Sequence, residues 1–264
     1  MEKYLEIAMT AAKKAGKIIK KNFHKKKDVS YKGKINLVTD IDKKAEEAII
    51  QIIKKSYPDH NILTEESEHS YNPDQEFCWV IDPLDGTTNY IHEFPFVSVS
   101  IALQKNQESI LGIVYNPIFE ELFYSEIGKG SFRNGIKISV SKTSDMDKAF
   151  LATGFPYDMY NEKRNNIRNL TKVIRGCRGI RRAGSAAIDL CYVASGIFDG
   201  FWELELMPWD TAAGLLIVEQ AGGIVTKLNG TKFSIFDKDI VSTNGHIHNK
   251  LLNILNNGAK LDKK

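Results

Sequence analysis

The sequence predicts a mixed α/β (α+β) fold, and three observations carry that prediction. Two stretches near the N-terminus repeat apolar residues at helical spacing. Short apolar runs separated by turn residues follow to about residue 130, and beyond about residue 149 strands and helices alternate. The first half therefore reads as two helices and a largely antiparallel meander, the second as an α/β layer.

Tyr4, Leu5, Ala8, Ala11, Ala12, Ala15, Ile18, Ile19 and Phe23 place an amphipathic helix over residues 4–24. Residues 31–39 read as a hairpin, with Gly33 at the turn and 35–38 extended. Thr39 or Asp40 caps a second helix with Ile41, Ala45, Ala48, Ile49, Ile52 and Ile53 on its apolar face, and Tyr57–Pro58 stops it. Asp42 falls in its first turn, where a carboxylate commonly serves only the helix dipole. Ile62–Thr64 is a short strand, and Phe77–Ile81 reads as a strand buried on both faces. Val97–Leu103, Ile110–Tyr115 and Glu121–Ser125 continue the meander, with Asn116–Pro117, Gly128 and Gly130 at its turns.

The second half gives strands at 149–152, 178–182, 198–203, 224–228 and 240–242. Its helices fall at 159–174, 185–195, 209–221 and 246–256, and Gly222–Gly223 ends the third of them. The polar stretch 141–148 marks the expected boundary. It separates an N-terminal α+β subdomain, 1–145, from a C-terminal α/β subdomain, 146–264, as one structural unit with the site between them.

With 264 residues, 42% hydrophobic and 26% charged, the chain has an ordinary globular composition and can bury a large core. No stretch approaches the roughly 20 apolar residues of a membrane span. Lys13, Lys14 and Lys17 interrupt any signal-like apolar region, so the expected location is cytoplasmic. Cys78, Cys177 and Cys191 are too few and too scattered for a disulfide framework or a zinc site, and Cys78 and Cys191 read as core. The net charge of +3 says little about partners, but residues 13–34 hold ten lysines against one acid, Asp28. A solvated helix face followed by a basic loop is the simpler reading; a patch drawing anions or nucleic acid is the sharper one.

The chemistry concentrates where the Phe77–Ile81 run ends, in Asp82-Pro83-Leu84-Asp85-Gly86-Thr87-Thr88-Asn89. Pro83 stiffens the turn between two aspartates, and a glycine and two hydroxyls follow. Buried carboxylates are costly unless a cation holds them. Magnesium suits such a place, because it takes one or two carboxylates together with phosphate oxygens. Asp, Pro and Gly are also ordinary turn residues, so the stretch alone reads as a strand-end turn too. Glu65, near Glu66 and Glu68, is either a cation ligand or part of a solvated loop, and Asp210 at a helix start either binds or serves the dipole.

Taken together, these blocks resemble the inositol monophosphatase family, magnesium-dependent and lithium-sensitive phosphatases related to fructose-1,6-bisphosphatase. The matching residues are Leu63–Ser67, Trp79–Tyr90, Gly184–Ala187, Trp209–Gly214 and Glu219–Gly223, in the family's order. The resemblance implies a layered αβαβα sandwich with its site between the halves, and a homodimer. It implies two to three Mg2+ ions on Glu65, Asp82, the Leu84 carbonyl, Asp85 and Asp210. Phosphate would rest on the N–H groups of Gly86 and Thr87 and the hydroxyls of Thr87 and Thr88. Asp42, Thr87 and Glu65 would serve catalysis, with Asp42 and Thr87 beside the attacking water. Glu203 would accept substrate hydroxyls, with Asp210, Gly184, Ser185 and Ala186 on that side.

The expected activity is hydrolysis of inositol 1-phosphate or a similar polyol phosphate by metal-activated water. A broader phosphatase taking fructose-1,6-bisphosphate or the 2′-phosphate of NADP is the alternative. A protein of this fold that contacts RNA or the transcription machinery is the reading from another class, and the lysine-rich segment is its support; nucleic acid is otherwise not expected as a partner.

Overall fold

The computed structural model describes residues 2–26, 29–32, 36–67, 72, 74–156 and 166–257, with backbone alone for 29–32 and 36–38. Helix α1 (Glu2–Asn22) is followed by the antiparallel hairpin β1 (Val29–Lys32) and β2 (Asn36–Thr39), then helix α2 (Asp40–Ser56). Seven strands form the first large sheet: β3 (Asn61–Thr64), β4 (Phe77–Asp85), β5 (Ser98–Lys105), β6 (Glu108–Asn116), β7 (Glu121–Glu126), β8 (Gly130–Arg133) and β9 (Ile136–Ile138). They lie in sequence order; β3 and β4 run parallel and every later pair antiparallel. The short helix α3 (Thr87–Ile91) links β4 to β5.

The remaining elements are β10 (Phe150–Thr153), α4 (Ile167–Val173), β11 (Gly179–Arg181), α5 (Ala186–Ala194), β12 (Gly200–Leu204), α6 (Pro208–Gln220), β13 (Ile224–Thr226), β14 (Asp239–Thr243) and α7 (His248–Asn257). Their sheet has the order β11-β10-β12-β14-β13, parallel at β11-β10-β12 and antiparallel beyond.

Side-chain alternation along the strands generates the layers. On β4, Trp79 and Ile81 join Ala8, Ala15 and Ile19 of α1 and Ala45 and Ile49 of α2, whereas Cys78 and Val80 join Ile188 of α5 and Ala213 and Ile217 of α6. On β12, Phe201 turns toward α5 and α6, while Trp202 packs with Val173 of α4 and Leu251 of α7. Helix pair, sheet, helix pair, sheet, helix pair is the αβαβα sandwich that the sequence implied. Fully buried side chains such as Ile49, Ile101 and Ile217 each stabilise the fold by about 1.5–3 kcal/mol.

Three details differ from the sequence-based expectation. Strand β4 runs on past Ile81 to Asp85, because the Asp–Pro–Leu–Asp segment stays in the ladder with a register shift between Asp82 and Asp85. The buried face of α2 is Ile41, Asp42, Ala45, Glu46, Ile49 and Ile53, so two carboxylates lie inside while Ala48 and Ile52 are only partly covered. The helix expected over 159–174 is seen from Ile167, with one 3-10 turn to Gly176; residues 159–165 and the Gly33 turn lie outside the described residues. No helix among the described residues is long and apolar enough to cross a membrane.

Candidate active site

Strand register assembles the first part of the site. Parallel pairing sets Thr64 opposite Ile81, so Glu65, one residue past β3, comes alongside Asp82. Asp82 pairs with Ser100 and Asp85 with Ser98 on β5. The Ser100 hydroxyl donates to the Trp209 carbonyl at 3.2 Å, which brings the start of α6, and with it Asp210, to the same sheet. Pro208 at the first position of α6 lacks an N–H that would have no partner there. Asp210 accepts the Met207 N–H at 2.7 Å as the capping carboxylate of that helix.

Gly86 makes the turn into α3 at φ +92°, a left-handed conformation that disfavours a side chain. A Cβ there would also stand 3.0 Å from the Phe96 carbonyl oxygen and 3.2 Å from that of Gly184. Asn89, one turn on, donates to the carbonyls of Phe96 and Ala183 at 2.8 Å each, and so ties α3 to the Gly184 loop. Thr87 and Thr88 open α3, where first-turn N–H groups have no intrahelical acceptor. The Thr87 hydroxyl donates to Asp42 Oδ1 at 2.9 Å or to the Leu84 carbonyl at 3.2 Å. Thr39 fills the other oxygen of Asp42 with its N–H at 2.9 Å and its hydroxyl at 2.5 Å.

Asp85 is held from the far half of the chain. Its Oδ2 accepts the Ser185 hydroxyl at 2.5 Å and the Ala187 N–H at 2.9 Å, with the Ser98 hydroxyl at 3.4 Å. Ser185 and Ala186, expected from the resemblance to line the substrate side, thus also stand at the N-terminal end of α5 where it meets Asp85. Glu203, on β12, has its carboxylate where a Cβ on residue 154 would be, so Gly154 makes its room. Asp189 of α5 is buried, and its Oδ1 has no hydrogen-bond partner among the described residues.

The electrostatics report one shared neighbourhood. Burial pushes the Asp82 carboxyl well above its usual range, and the negative charges of Glu65, Asp85 and Asp210 push it further. Asp210 is raised by burial and by Asp85, Glu65 and Glu203, against the Met207 N–H. Asp85 is pushed up to about 6 by burial, its hydrogen bonds from Ser185, Ala187, Ser98 and Ala186 opposing. Glu203 goes to about 8 by burial, with Arg182 opposing, although the residue keeps some contact with solvent. Burial also raises Asp42, against its bonds from Thr39 and Thr87, and raises Asp189, helped by Glu203 and Asp85.

Among the described residues, no group of three or more His, Cys, Asp or Glu side chains is placed so that it could by itself hold a metal ion. The donors are nonetheless oxygen throughout, and crowded carboxylates that raise one another's pKa fit a hard divalent cation completed by water and phosphate oxygens. The structure brings together the sequence-expected residues Asp42, Leu84 and Thr87 by hydrogen bonds, and Glu65, Asp82, Asp85, Asp210 and Glu203 by mutual electrostatic influence. Sequence reasoning missed Ser98, Asn89 and Asp189 as its neighbours. The signal available for Asp189 was an acid inside the otherwise apolar helix Ala186–Ala194.

A model of the inositol monophosphatase family matches residues 1–259. The Nus factor SuhB of Escherichia coli strain K12 is 44% identical over 254 residues, 96% of this chain and 95% of that protein. Inositol monophosphatase 2 of Solanum lycopersicum is 41% identical, covering 97% of this chain and 99% of its own length. The solved inositol monophosphatase of Anabaena (Nostoc) sp. PCC 7120 superposes with a TM-score of 0.90 at 40% identity, over 98% of each chain. Matched along nearly its whole length in sequence and in fold, the chain belongs to the inositol monophosphatase family of phosphoric monoester hydrolases.

Proposed function

We propose that this chain is a magnesium-dependent phosphatase that hydrolyses inositol 1-phosphate or a similar polyol phosphate. The observation that carries the reading is the crowding of Glu65, Asp82, Asp85 and Asp210 beside the Asp42–Thr87 pair. Glu65, Asp82, the Leu84 carbonyl, Asp85 and Asp210 would hold the metal, which when bound would lower the pKa of water and offset charge on the departing oxygen. The N–H groups of Gly86 and Thr87, with the hydroxyls of Thr87 and Thr88, cradle the phosphate at the start of α3. Thr87 donates its hydroxyl hydrogen bond to Asp42, which leaves its oxygen lone pairs facing away to accept a hydrogen bond from the attacking water. Asp42, fixed by Thr39, keeps that hydroxyl aimed and so orients the nucleophile for in-line displacement. Glu203 accepts hydroxyls of the polyol. The two subdomains meeting near residue 145 would each supply one wall.

The test is phosphate release from a panel holding inositol 1-phosphate, fructose-1,6-bisphosphate and NADP, with and without magnesium. Metal-dependent turnover led by the inositol ester is expected; none on any ester would refute the proposal. A second reading, association with the transcription machinery, draws on the name of the SuhB relative and on Lys13, Lys14, Lys17, Lys20, Lys21, Lys25 and Lys26, all exposed along and just beyond α1. It predicts RNA binding that weakens with salt and persists in Asp85→Asn.

A further inference from the structure

Helix α2 sends a second carboxylate into the interior, one turn beyond Asp42. Glu46 is 2% exposed, and its hydrogen-bond partners among the described residues come from the segment around Glu65. Its Oε2 accepts the Thr64 hydroxyl at 2.5 Å and the Glu66 N–H at 2.9 Å, while Oε1 accepts the Ser67 hydroxyl. The residues before and after Glu65 are thus pinned by one buried side chain, and Glu65 itself projects from the segment between them. Carboxylate acceptors of hydroxyl and backbone N–H donors make strong, directional bonds. Ala45 and Ile49 beside it on the buried face are apolar core, and burying a carboxylate among them is costly without such donors.

We infer that Glu46 is a positioning residue for the metal site, fixing the Thr64–Ser67 segment so that Glu65 meets a divalent cation in a set geometry. This rests on the metal-dependent reading above. Helix α2 then serves the site twice: Asp42 aims Thr87, and four residues later Glu46 aims Glu65. Removing an outer partner that orients a metal ligand typically weakens metal binding by about 10–100-fold.

The experiment measures Mn2+ binding to the full chain by electron paramagnetic resonance, with circular dichroism as the check on folding. Glu46→Ala should weaken Mn2+ binding by about 10–100-fold. Glu46→Gln keeps one acceptor oxygen and should fall between it and wild type. In activity assays the magnesium needed for half-activation should rise, while kcat at saturating magnesium largely recovers, a split that general destabilisation does not produce. The double variant Glu46→Gln/Glu65→Gln should bind Mn2+ no more weakly than Glu65→Gln alone, because the first residue acts through the second. Folded Glu46 variants that bind Mn2+ like wild type would overturn the inference while leaving the proposed function standing, as would additive losses in the double variant. If Glu46→Ala fails to fold, Glu46→Gln and the double variant decide. A wild-type chain that binds no Mn2+ would overturn both together.

Discussion

The two walls of the candidate site are built differently. On the wall formed by β3, β4 and α3, polar groups close against one another: Asp42 has Thr39 and Thr87, and Glu46 has Thr64, Glu66 and Ser67. On the wall formed by α5 and β12, Asp189 has an oxygen with no hydrogen-bond partner among the described residues. The first wall is preorganised, and preorganised dipoles and ligands lower barriers because they cost no rearrangement during reaction. The second keeps unspent hydrogen-bonding capacity, which suits recognition of hydroxyls whose number and placement differ between substrates. On the proposed function, the contrast would give turnover to the first wall and choice of substrate to the second.

The sharpest way to break that division is Asp85→Asn. It should lower phosphate release at least about 1,000-fold, the scale of losing a metal ligand and its charge, with the circular dichroism spectrum retained. Turnover near wild type would end the assignment of metal binding to this wall. Thr87→Val removes the hydroxyl that Asp42 holds; kcat should fall about 100-fold with KM nearly unchanged, the pattern of a group that orients a nucleophile. On the opposite wall, Glu203→Ala should raise KM for a polyol phosphate about tenfold and change the ranking of substrates, since one lost hydrogen bond is worth about 1–1.5 kcal/mol. If it alters kcat alone, equally for all substrates, the division is wrong.

The pH dependence sharpens the comparison further. With its folded pKa raised to about 6, Asp85 binds more protons in the metal-free fold than in the unfolded chain between pH 4 and 6. Its contribution to metal-free stability is therefore present below about pH 4 and is lost as pH rises through about 6. Magnesium should consequently raise the melting temperature more at pH 7.5 than at pH 5, as read by thermal shift. Ser185→Ala removes a bond that lowers this pKa, so the acid limb of activity should move to higher pH. A shift in the other direction would remove Ser185 from that role. The smallest effect lies outside both walls: burial pushes the Cys78 thiol up to about 12, so it should resist alkylation at pH 8 until the protein unfolds.

Much of this architecture was legible in the residues, because its main devices are local. Helical spacing in α1, turn chemistry at Asn116–Pro117 and the run ending at Asp82 all act over a few neighbours. What escaped was set by tertiary context. The stripe on α2 rotated to bury Asp42 and Glu46, because donors from Thr39, Thr87, Thr64 and Ser67 make those acids acceptable inside; no pattern within the helix announces them. Asn166 is a second case: it caps α4 at φ +61° and, buried, bonds Thr153, Gly154 and the Trp202 indole. Its neighbours come from strands distant in sequence. In the same way, Pro83 and Gly86 suggested a turn beginning at Asp82, whereas pairing with β5 kept the segment extended to Asp85.

The clasp on Asp85 has a consequence for how a newly made chain matures. Its donors Ser185 and Ala187 lie 100 and 102 positions downstream. A nascent polypeptide that ends before α5 can complete the first sheet yet still lacks the groups that seat this carboxylate. If Asp85 holds an ion as proposed, ion capture would belong to the closing stage of biogenesis, after the downstream half has docked, and the unfinished chain would not yet turn over esters.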